Sequence, residues 1–328
     1  MKGLRVDEAP LPRATRAVLD RAAEQGMRWA VIAWERGASS GFQIVGEETP
    51  GLDAHVRLAS LSKLIIGLLY AEVKEQGPLS DETRAADPLP DYSGRLGAVT
   101  LGDLAAHRTG FRDALNDPAF RARVNDDITA PQEIETVIET SLAIPQAQAL
   151  PTYANVNAIL LSHCIERVVG RAFPSIVAAR FPRLPSLAFP VDGHLPKPRW
   201  PGARLGLAPG RVEYGERLFD ATDHSAAWAG YAGTGVLAAR EAPLFCQDVL
   251  KPLIALTPRP NHATEGWANL LRFEGPLAFH DGDVTGYSAW AGVDLDTKAS
   301  LFVTTGLSWS PALGNPAGAI ARALLPEV

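Results

Sequence analysis

Cysteine is scarce in this chain, which has only Cys164 and Cys246 among its 328 residues. Two cysteines cannot build the disulfide framework that is typical of small secreted proteins. Each is better interpreted as a small buried apolar residue than as a nucleophile or a metal ligand. The histidines, which include His163 and His224, show no metal-ligand spacing either. We therefore expect no disulfide framework and no metal, and nothing in the sequence implies a cofactor.

Clusters of basic residues and long apolar runs are also missing. The formal net charge is −6 at pH 7, which argues against a nucleic acid or an anionic membrane surface as the partner. Residues 1–26 lack the apolar core of a secretory signal, and no run reaches membrane-spanning length. A cytoplasmic location is expected on this basis, although a chain whose leader had been removed would look the same. The sequence leaves the oligomeric state open.

What the chain does contain is an ordinary globular composition, with 46% hydrophobic and 21% charged residues. This is enough for a sizeable core and two lobes. Apolar periodicity and turn residues predict the elements. Helices are expected at 14–25, 57–72, 100–107, 131–142, 155–170 and about 315–325, and strands at 27–37, at 40–48 and in short runs after 265. The proline-rich residues 181–216 are expected to form loops.

The order of these elements predicts the fold class. Strands at both ends with helices between them indicate an α+β fold, in which one antiparallel sheet flanked by helices is assembled from both termini. A mainly helical lobe is inserted into it. We place the sheet domain at 1–74 and 226–328 and the helical lobe at 75–225. The glycine-rich segment 229–239 is interpreted as a tight structural turn, because its glycine spacing does not match a dinucleotide-binding loop.

The segment RLASLSKLIIGLLYAE at 57–72 has a single charged residue between its ends, Lys63, one helical turn after Ser60. A lysine among apolar neighbours is costly unless its charge is paired or lost. Lowering its pKa from about 10.4 to neutrality takes about 4–5 kcal/mol, which burial and a helix N-terminus can supply. A neutral amine beside a serine hydroxyl is a general base next to a nucleophile. The unpaired N–H groups at the helix N-terminus can also bind an oxyanion.

The Ser-x-x-Lys spacing alone does not establish this chemistry. It occurs by chance in many chains, and a surface lysine often extends past apolar neighbours into water. Two further groups of residues decide between the interpretations. The first is Tyr153 and Asn155 in PTYANVNAILL, just before a predicted helix. The second is His280 and Gly282 in FHDGDVTGYSAWAGVDLDT, followed by a turn and a strand.

With these motifs the chain resembles the serine β-lactamase and penicillin-binding-protein superfamily, in particular its class C β-lactamase-like esterase branch. That branch carries Ser-x-x-Lys, then Tyr-x-Asn, then Lys- or His-x-Gly on a strand, in the order found here. The segment TLGDLAAHRTGF at 100–111, with its His-x-x-Gly, and the glycine-rich segment 229–239 also fall in the order of the family. The resemblance covers roughly residues 27–312 and implies a β-lactamase/transpeptidase-like fold.

The resemblance implies a role for each matched residue. Ser60 would be the acylated nucleophile, and Lys63 would take part in its activation. Tyr153 would pass the proton to the leaving group and later activate water. Whether Lys63 or Tyr153 is the formal base stays open, because a close pair titrates as a unit. Asn155 would hydrogen-bond Lys63 or the acyl side chain. The alternative is a role as the N-cap of its helix, either alone or together with that hydrogen bond.

The third motif would close the site from the other side. The backbone N–H groups of Ser60 and Asp283 would form the oxyanion hole, beside Gly282. His280 would lie across the site from Tyr153, with a plain strand position as the alternative. His107 is interpreted as structural, since a buried histidine usually orients a turn.

The third motif departs from the family where the substrate would bind. β-Lactamases and D-alanyl-D-alanine peptidases meet a substrate carboxylate there with cations and hydroxyls, whereas this chain has Asp281 and Asp283. We expect at most one of these carboxylates to face the pocket, where it would repel an anionic substrate group. Weak or no β-lactam turnover is therefore predicted.

The function predicted from the sequence is that of a serine hydrolase acting through a Ser60 acyl-enzyme on a small neutral or cationic ester or amide. One alternative keeps the fold and changes the acceptor or substrate, as a D-amino-acid amidase or peptidase, or a biosynthetic acyltransferase. Another is a catalytically inactive relative that only binds a ligand. Several tryptophans could line an acyl pocket but are expected in the core: Trp200, Trp228, Trp267, Trp290 and Trp309.

Overall fold

A computed structural model describes residues 11–46, 51–127, 129–202, 204–205, 219–260 and 265–328. The helices are α1 (Arg13–Glu24), α2 (Ser62–Glu75), α3 (Ser93–Leu96), α4 (Leu101–Ala105), α5 (Pro118–Asp126), α6 (Ile134–Ala143), α7 (Asn155–Val169), α8 (Phe173–Arg180), α9 (Ala242–Phe245), α10 (Lys251–Leu256) and α11 (Pro316–Leu324). The strands are β1 (Trp29–Arg36), β2 (Ser39–Gly46), β3 (His55–Arg57), β4 (Arg204–Leu205), β5 (Phe219–Asp220), β6 (Val236–Ala238), β7 (Glu265–Ala268), β8 (Leu271–Glu274), β9 (Leu277–Val284), β10 (Tyr287–Asp294) and β11 (Ser300–Thr305).

The main sheet combines strands from both ends of the chain. It has seven strands in the order β2-β1-β11-β10-β9-β8-β7, and every neighbouring pair is antiparallel. The N-terminal strand β1 pairs with the C-terminal strand β11, so that Ala30 lies opposite Thr305 and Glu35 opposite Ser300. The predicted α+β fold with an antiparallel sheet flanked by helices is confirmed.

Both faces of the sheet are covered, which explains why the central strands are apolar without a polar alternation. Residues 29–33 of β1 are all fully buried. Val31 joins a large core that includes residues of α2, whereas Ile32 joins a smaller core with residues of α1 and α11. The two-residue period of the strand therefore decides which core a side chain enters rather than whether it is exposed.

Local signals place several element ends. The hydroxyl of Thr100 accepts a hydrogen bond from Asp103 N over 3.2 Å in a capping box that starts α4. Gly170, with φ of +69°, ends α7 in the left-handed conformation. The predicted helices and the first strand pair are confirmed, with ends displaced by a few residues. The segment 57–72 differs most, since residues 59–61 form a 3₁₀ turn before α2 begins.

Between residues 75 and 225 lie the helices α3–α8, while α9 and α10 follow that range. The proposed division into two domains at these boundaries stays a prediction. Of the predicted loop region, residues 181–202 contain no helix and no strand beyond isolated bridges. The short strand β4 at 204–205 departs from the predicted loop, and residues 203 and 206–216 lie outside the described residues. Within the described ranges, no helix has both the length and the apolar character to cross a bilayer.

Candidate active site

Ser60 lies in the 3₁₀ turn Ala59–Leu61, between β3 and α2. Ala59 has φ of +48°, a left-handed backbone conformation that residues other than glycine rarely adopt and that is frequent at functional sites. Because α2 begins directly afterwards, the Ser60 hydroxyl stands at the N-terminal end of a long buried helix. The side chain is partly exposed and borders a cavity. The nucleophile candidate is thus held by a strained turn at an accessible position.

Lys63 is completely buried. Its Nζ donates to Ser60 Oγ over 3.0 Å, to Asn155 Oδ1 over 2.7 Å and to Ala232 O over 2.9 Å. The amide and carbonyl oxygens can only accept hydrogen bonds, whereas a hydroxyl can also donate one. When the amine is neutral, its two protons therefore go to the two acceptors, and its lone pair faces the hydroxyl proton of Ser60.

The burial of Lys63 changes its basicity. Burial lowers the pKa of Lys63 to about 7, while the carboxylates of Asp113 and Asp281 oppose that shift. An amine with such a pKa is partly neutral at pH 7, which is the state that a general base requires. The apolar helix face recognised in the sequence thus places the amine in the environment that such a base needs.

Tyr153 approaches the same serine oxygen from a second direction. Its hydroxyl donates to Ser60 Oγ over 2.8 Å, and Lys63 Nζ lies 5.1 Å from the centre of its ring. The residue is 40% exposed, and its ring packs on His107 and Trp267 at centroid distances of 4.7 and 5.7 Å. The protein packed around the phenol raises its pKa above the ordinary value. Tyr153 therefore keeps its proton at neutral pH and can donate it to a neighbouring oxygen.

Asn155 is the first residue of α7 and is buried. Its Oδ1 accepts the hydrogen bond from Lys63, and its Nδ2 donates to Asp113 Oδ2 over 2.8 Å. Ala154 occupies the N-cap position of the helix. The alternative in which Asn155 is only a helix cap is therefore wrong, and its side chain links Lys63 to a buried carboxylate.

The third motif lies on β9, which passes directly beside the Ser60 turn. A Cβ atom on Gly282 would lie 2.9 Å from both Ser60 N and Leu58 O, so any larger residue would push the strand away from the turn. His280 is buried, with its ring centre 5.9 Å from that of Tyr153. Burial lowers the pKa of His280 to about 4, so its imidazole is neutral at pH 7.

His107 lies behind Tyr153 and supports it. It is fully buried, and its Nδ1 shares a 3.0 Å hydrogen bond with Asn157 Nδ2. Burial holds the pKa of His107 well below the ordinary value, so it acts as a neutral packing group. In the part of the chain that the structure describes, no three or more His, Cys, Asp or Glu side chains are grouped to hold a metal ion.

A cavity of about 320 Å³ opens beside Ser60. One part of its wall is apolar and is formed by Trp228, Trp267 and Val284. Another part is charged and is formed by Arg272, Asp281 and Asp283. Positions 281 and 283 are two residues apart on β9 and share a face. Both residues border the cavity, and the Asp283 carboxylate is turned to Trp309 N. The expectation that at most one of these carboxylates faces the pocket stays a prediction. Of the other tryptophans, Trp200 and Trp290 are core residues as expected, and Trp309 is exposed.

The charged groups of the cavity differ in their pairing. Asp283 Oδ2 accepts a 2.6 Å hydrogen bond from Trp309 N, and Arg272 pairs with Glu274 at 3.2 Å. Among the described residues, no donor or cation lies within bonding distance of the Asp281 carboxylate. Asp281 is thus the carboxylate of this wall that can pair with a substrate.

Sequence reasoning missed three contributors to this site, namely Asp113, Arg272 and the carbonyl oxygen of Ala232. Asp113 follows the His-x-x-Gly segment, but no spacing rule connects it to Asn155. The glycine-rich segment 229–239 does form tight turns, and it also supplies the Ala232 carbonyl to Lys63. A backbone oxygen has no signature in residue type, so only the folded chain identifies it.

The joint arrangement of Ser60, Lys63 and Tyr153 on this fold can be compared with known proteins. The family model described as Beta-lactamase matches residues 16–322. This chain belongs to the β-lactamase family. The match covers most of the chain and confirms the resemblance to the serine β-lactamase and penicillin-binding-protein superfamily.

Solved structures agree on the fold of this β-lactamase-family protein. A D-stereospecific amidohydrolase from Streptomyces sp. aligns with a TM-score of 0.77 and 20% identity, covering 97% of this chain and 100% of that one. A D-amino acid amidase from Ochrobactrum anthropi SV3, complexed with L-phenylalanine amide, aligns with a TM-score of 0.71 and 17% identity over 94% and 97% of the two chains. At identities this low, the structural alignments show the shared fold alone, which is β-lactamase/transpeptidase-like.

One curated sequence is also similar in part. A probable fimbrial assembly protein of Dichelobacter nodosus is 27% identical over 168 residues, which is 49% of this chain and 41% of that protein. The match therefore spans less than half of that relative.

Proposed function

We propose that this protein is a serine hydrolase that acylates Ser60 with a small ester or amide and then transfers the acyl group to water. The observation that supports this is one oxygen shared by two proton-carrying groups. Ser60 Oγ lies 3.0 Å from Lys63 Nζ and 2.8 Å from Tyr153 OH. Acyl transfer needs such an arrangement, because the proton must leave the hydroxyl as it attacks and then reach the leaving group.

In the proposed acylation, Ser60 Oγ bonds to the carbonyl carbon while its proton passes to Lys63, directly or through Tyr153. The resulting oxyanion accepts hydrogen bonds from the backbone N–H groups of Ser60 and Asp283. The bond to the leaving group then breaks, and the same pair of side chains returns the proton to that group. In deacylation, water loses a proton to this pair, attacks the acyl carbon and releases Ser60 with its proton restored.

We also propose that the preferred substrates are neutral or cationic at the end that meets β9. Asp281 places a carboxylate there that is free to pair with a cation and that repels a substrate carboxylate. Arg272 contributes the opposite charge, but Glu274 already pairs with it. Trp228 and Trp267 offer an apolar surface for an acyl or side-chain group.

A second candidate function is hydrolysis of D-amino-acid amides or peptides. It is favoured by the fold shared with a D-stereospecific amidohydrolase and a D-amino acid amidase, together with a carboxylate at position 281 that could pair with a free ammonium group. Transfer of the acyl group to an amine instead of water would make the protein an acyltransferase. An inactive binding protein is disfavoured, because the nucleophile, amine and phenol are all present and in contact.

Burst kinetics test the proposed function. A nitrophenyl ester of a small neutral acid should release nitrophenolate in a burst equivalent to the enzyme concentration, followed by slower turnover, because acylation precedes deacylation. Added amines that divert acyl groups into amides would indicate an acyltransferase. Faster turnover of D-amino-acid amides than of their L-forms would indicate the amidase. Neither burst nor turnover with esters or amides would contradict the proposal and favour a binding protein.

Asp281→Asn is expected to change the charge preference of the cavity. Relative to a neutral ester, kcat/KM for a carboxylate-bearing chromogenic β-lactam should rise about tenfold and kcat/KM for a cationic ester should fall about tenfold, as expected for about 1.4 kcal/mol of charge interaction in a half-dry cleft. Steady-state kinetics with the neutral ester, the cationic ester and the β-lactam measure this effect.

The matched control is Asp296→Asn, which makes the same charge change at an exposed position. It should leave all three kcat/KM values at their wild-type ratio. A wild-type protein that hydrolyses the β-lactam as efficiently as the neutral ester would contradict the proposed substrate preference.

A further inference from the structure

Asp113 is a carboxylate that no motif assigned to the site, and it lies behind Asn155. It precedes a short 3₁₀ turn, Ala114–Asn116, and is partly buried. Its two oxygens have separate donors, because Oδ2 accepts from Asn155 Nδ2 over 2.8 Å and Oδ1 accepts from Val156 N over 3.2 Å. Val156 belongs to the first turn of α7, where a negative charge is favoured by the helix dipole. Asp113 is therefore firmly placed by the start of α7.

We infer that Asp113 is a positioning residue for the proposed acyl transfer, and that it orients the Asn155 amide so that the lone pair of neutral Lys63 can point only at Ser60. This inference rests on the proposed function. A carboxylate can only accept hydrogen bonds, so it binds the NH₂ end of the amide. The carbonyl end of Asn155 must then face Lys63. If the amide were reversed, its NH₂ group would compete with Ser60 for the lone pair.

Asp113 also acts on Lys63 through its charge. Burial raises the pKa of Asp113, while the charge of Lys63 and the hydrogen bonds from Val156 and Asn155 oppose that shift. In its ionised form the carboxylate favours the protonated amine, and so it opposes the lowering of the Lys63 pKa by burial. The other titratable groups that face Lys63 are Tyr153, Asp281, His107 and His280. Both histidines are neutral near pH 7, so Asp113 and Asp281 are the charges that counterbalance burial. Removing the charge of Asp113 should therefore lower the pKa of Lys63 further.

Asp113→Asn is the decisive variant, because it keeps the size of the side chain and replaces two acceptors by one acceptor and one donor. With its oxygen on Val156 N, the new NH₂ group would bind the carbonyl end of a reversed Asn155 amide. The acid limb of the kcat/KM profile should move down by at least about 1 pH unit, and the plateau should fall at least about tenfold. Stopped-flow acylation by a nitrophenyl ester between pH 5 and 9 measures both.

Asp117→Asn is the matched control. Asp117 also accepts a hydrogen bond at a helix N-terminus, from Phe120 N over 2.7 Å, but it caps α5 and does not contact the site. Asparagine keeps a side-chain oxygen at the N-cap, so this substitution should leave the pH profile unchanged and change the thermal midpoint little. A folded Asp113→Asn protein with the wild-type limb and plateau would overturn the inference.

Asp113→Glu decides the case if Asp113→Asn does not fold. It keeps the charge but displaces the carboxylate by one methylene group, so the plateau should fall at least about fivefold while the acid limb stays in place. A wild-type plateau would overturn the inference.

The inference and the proposed function fail in different ways. If the wild-type protein shows no acylation at all, the proposed function fails. The electrostatic effect of Asp113 can then still be measured by NMR titration of the Lys63 side chain, with Lys63→Met to assign its signal. A Lys63 pKa that does not fall in Asp113→Asn would overturn the electrostatic part of the inference without reference to catalysis.

Discussion

Ser60→Ala is expected to lower the turnover of an activated ester by at least about 1,000-fold, as loss of the nucleophile does in other serine hydrolases. It should also abolish covalent labelling by a fluorophosphonate. The reason is that Lys63 and Tyr153 both direct their hydrogen bonds to Ser60 Oγ, so no other hydroxyl can use this proton path. Intact-mass spectrometry of the wild type should show one added phosphonyl group, and the variant should show none.

Ser62 offers a matched control in the same segment. Its Oγ donates to Ala59 O over 2.6 Å and accepts from Gly235 N over 3.0 Å, and the side chain is fully buried. Ser62→Ala should cost about 1–3 kcal/mol of stability through the unsatisfied amide, yet it should still be labelled once. If labelling persisted in Ser60→Ala and disappeared in Ser62→Ala, the nucleophile would be Ser62, and the role proposed for Ser60 would be contradicted.

Lys63→Met is expected to lower the acylation rate about 100- to 10,000-fold, the range that a general base contributes. In the wild type, burial lowers the pKa of Lys63 to about 7. Since the neutral amine is the active form, kcat/KM should rise about tenfold per pH unit below about pH 7 and level off above it. Lys63→Arg should not restore activity, because a guanidinium stays protonated throughout this range. Stopped-flow acylation across pH 5–9 measures these effects.

Lys74 provides the control on the same helix. Its Nζ pairs with Asp81 at 2.8 Å and lies outside the cavity wall, so Lys74→Met should leave the acid limb where it is in the wild type. An acid limb near pH 10 would show that the pKa of Lys63 is not lowered. A rate that does not depend on pH around neutrality would show that Lys63 is not the group that sets the activity.

The parts of the fold that the sequence predicted are those with a local physical cause. The amphipathic period of 14–25, the capping residues at Thr100 and Gly170, and the apolar setting of Lys63 all depend on neighbours within a few positions. The motif order added Tyr153, Asn155 and the 280–283 segment, and the structure brings all of them to one cavity. The helix predicted over 57–72 was less accurate at its start. The Ser60 turn is shaped by close contact with Gly282 and Gly235 rather than by helix propensity.

The contacts that the sequence could not supply are those between distant residues. Asp113 meets Asn155 across 42 positions, and the Ala232 carbonyl meets Lys63 across 169. Neither has a local pattern, since a carboxylate in a loop and a backbone carbonyl look alike wherever they occur. Along β9, the folded chain shows that Asp281 and Asp283 both border the cavity and that the Asp283 carboxylate is held by Trp309 N, which leaves Asp281 to meet a substrate.

From residue order alone, this protein was determined to be an α+β chain of the β-lactamase family, with a hydroxyl and an amine spaced one helical turn apart. Helix periodicity and motif order carry that information because they depend on residue type and short spacing. Tertiary structure decided how far the amine is removed from water, which way the amide of residue 155 turns, and which charges border the substrate. Those properties arise from packing between segments far apart in the chain, and it is packing that sets solvation, orientation and local charge.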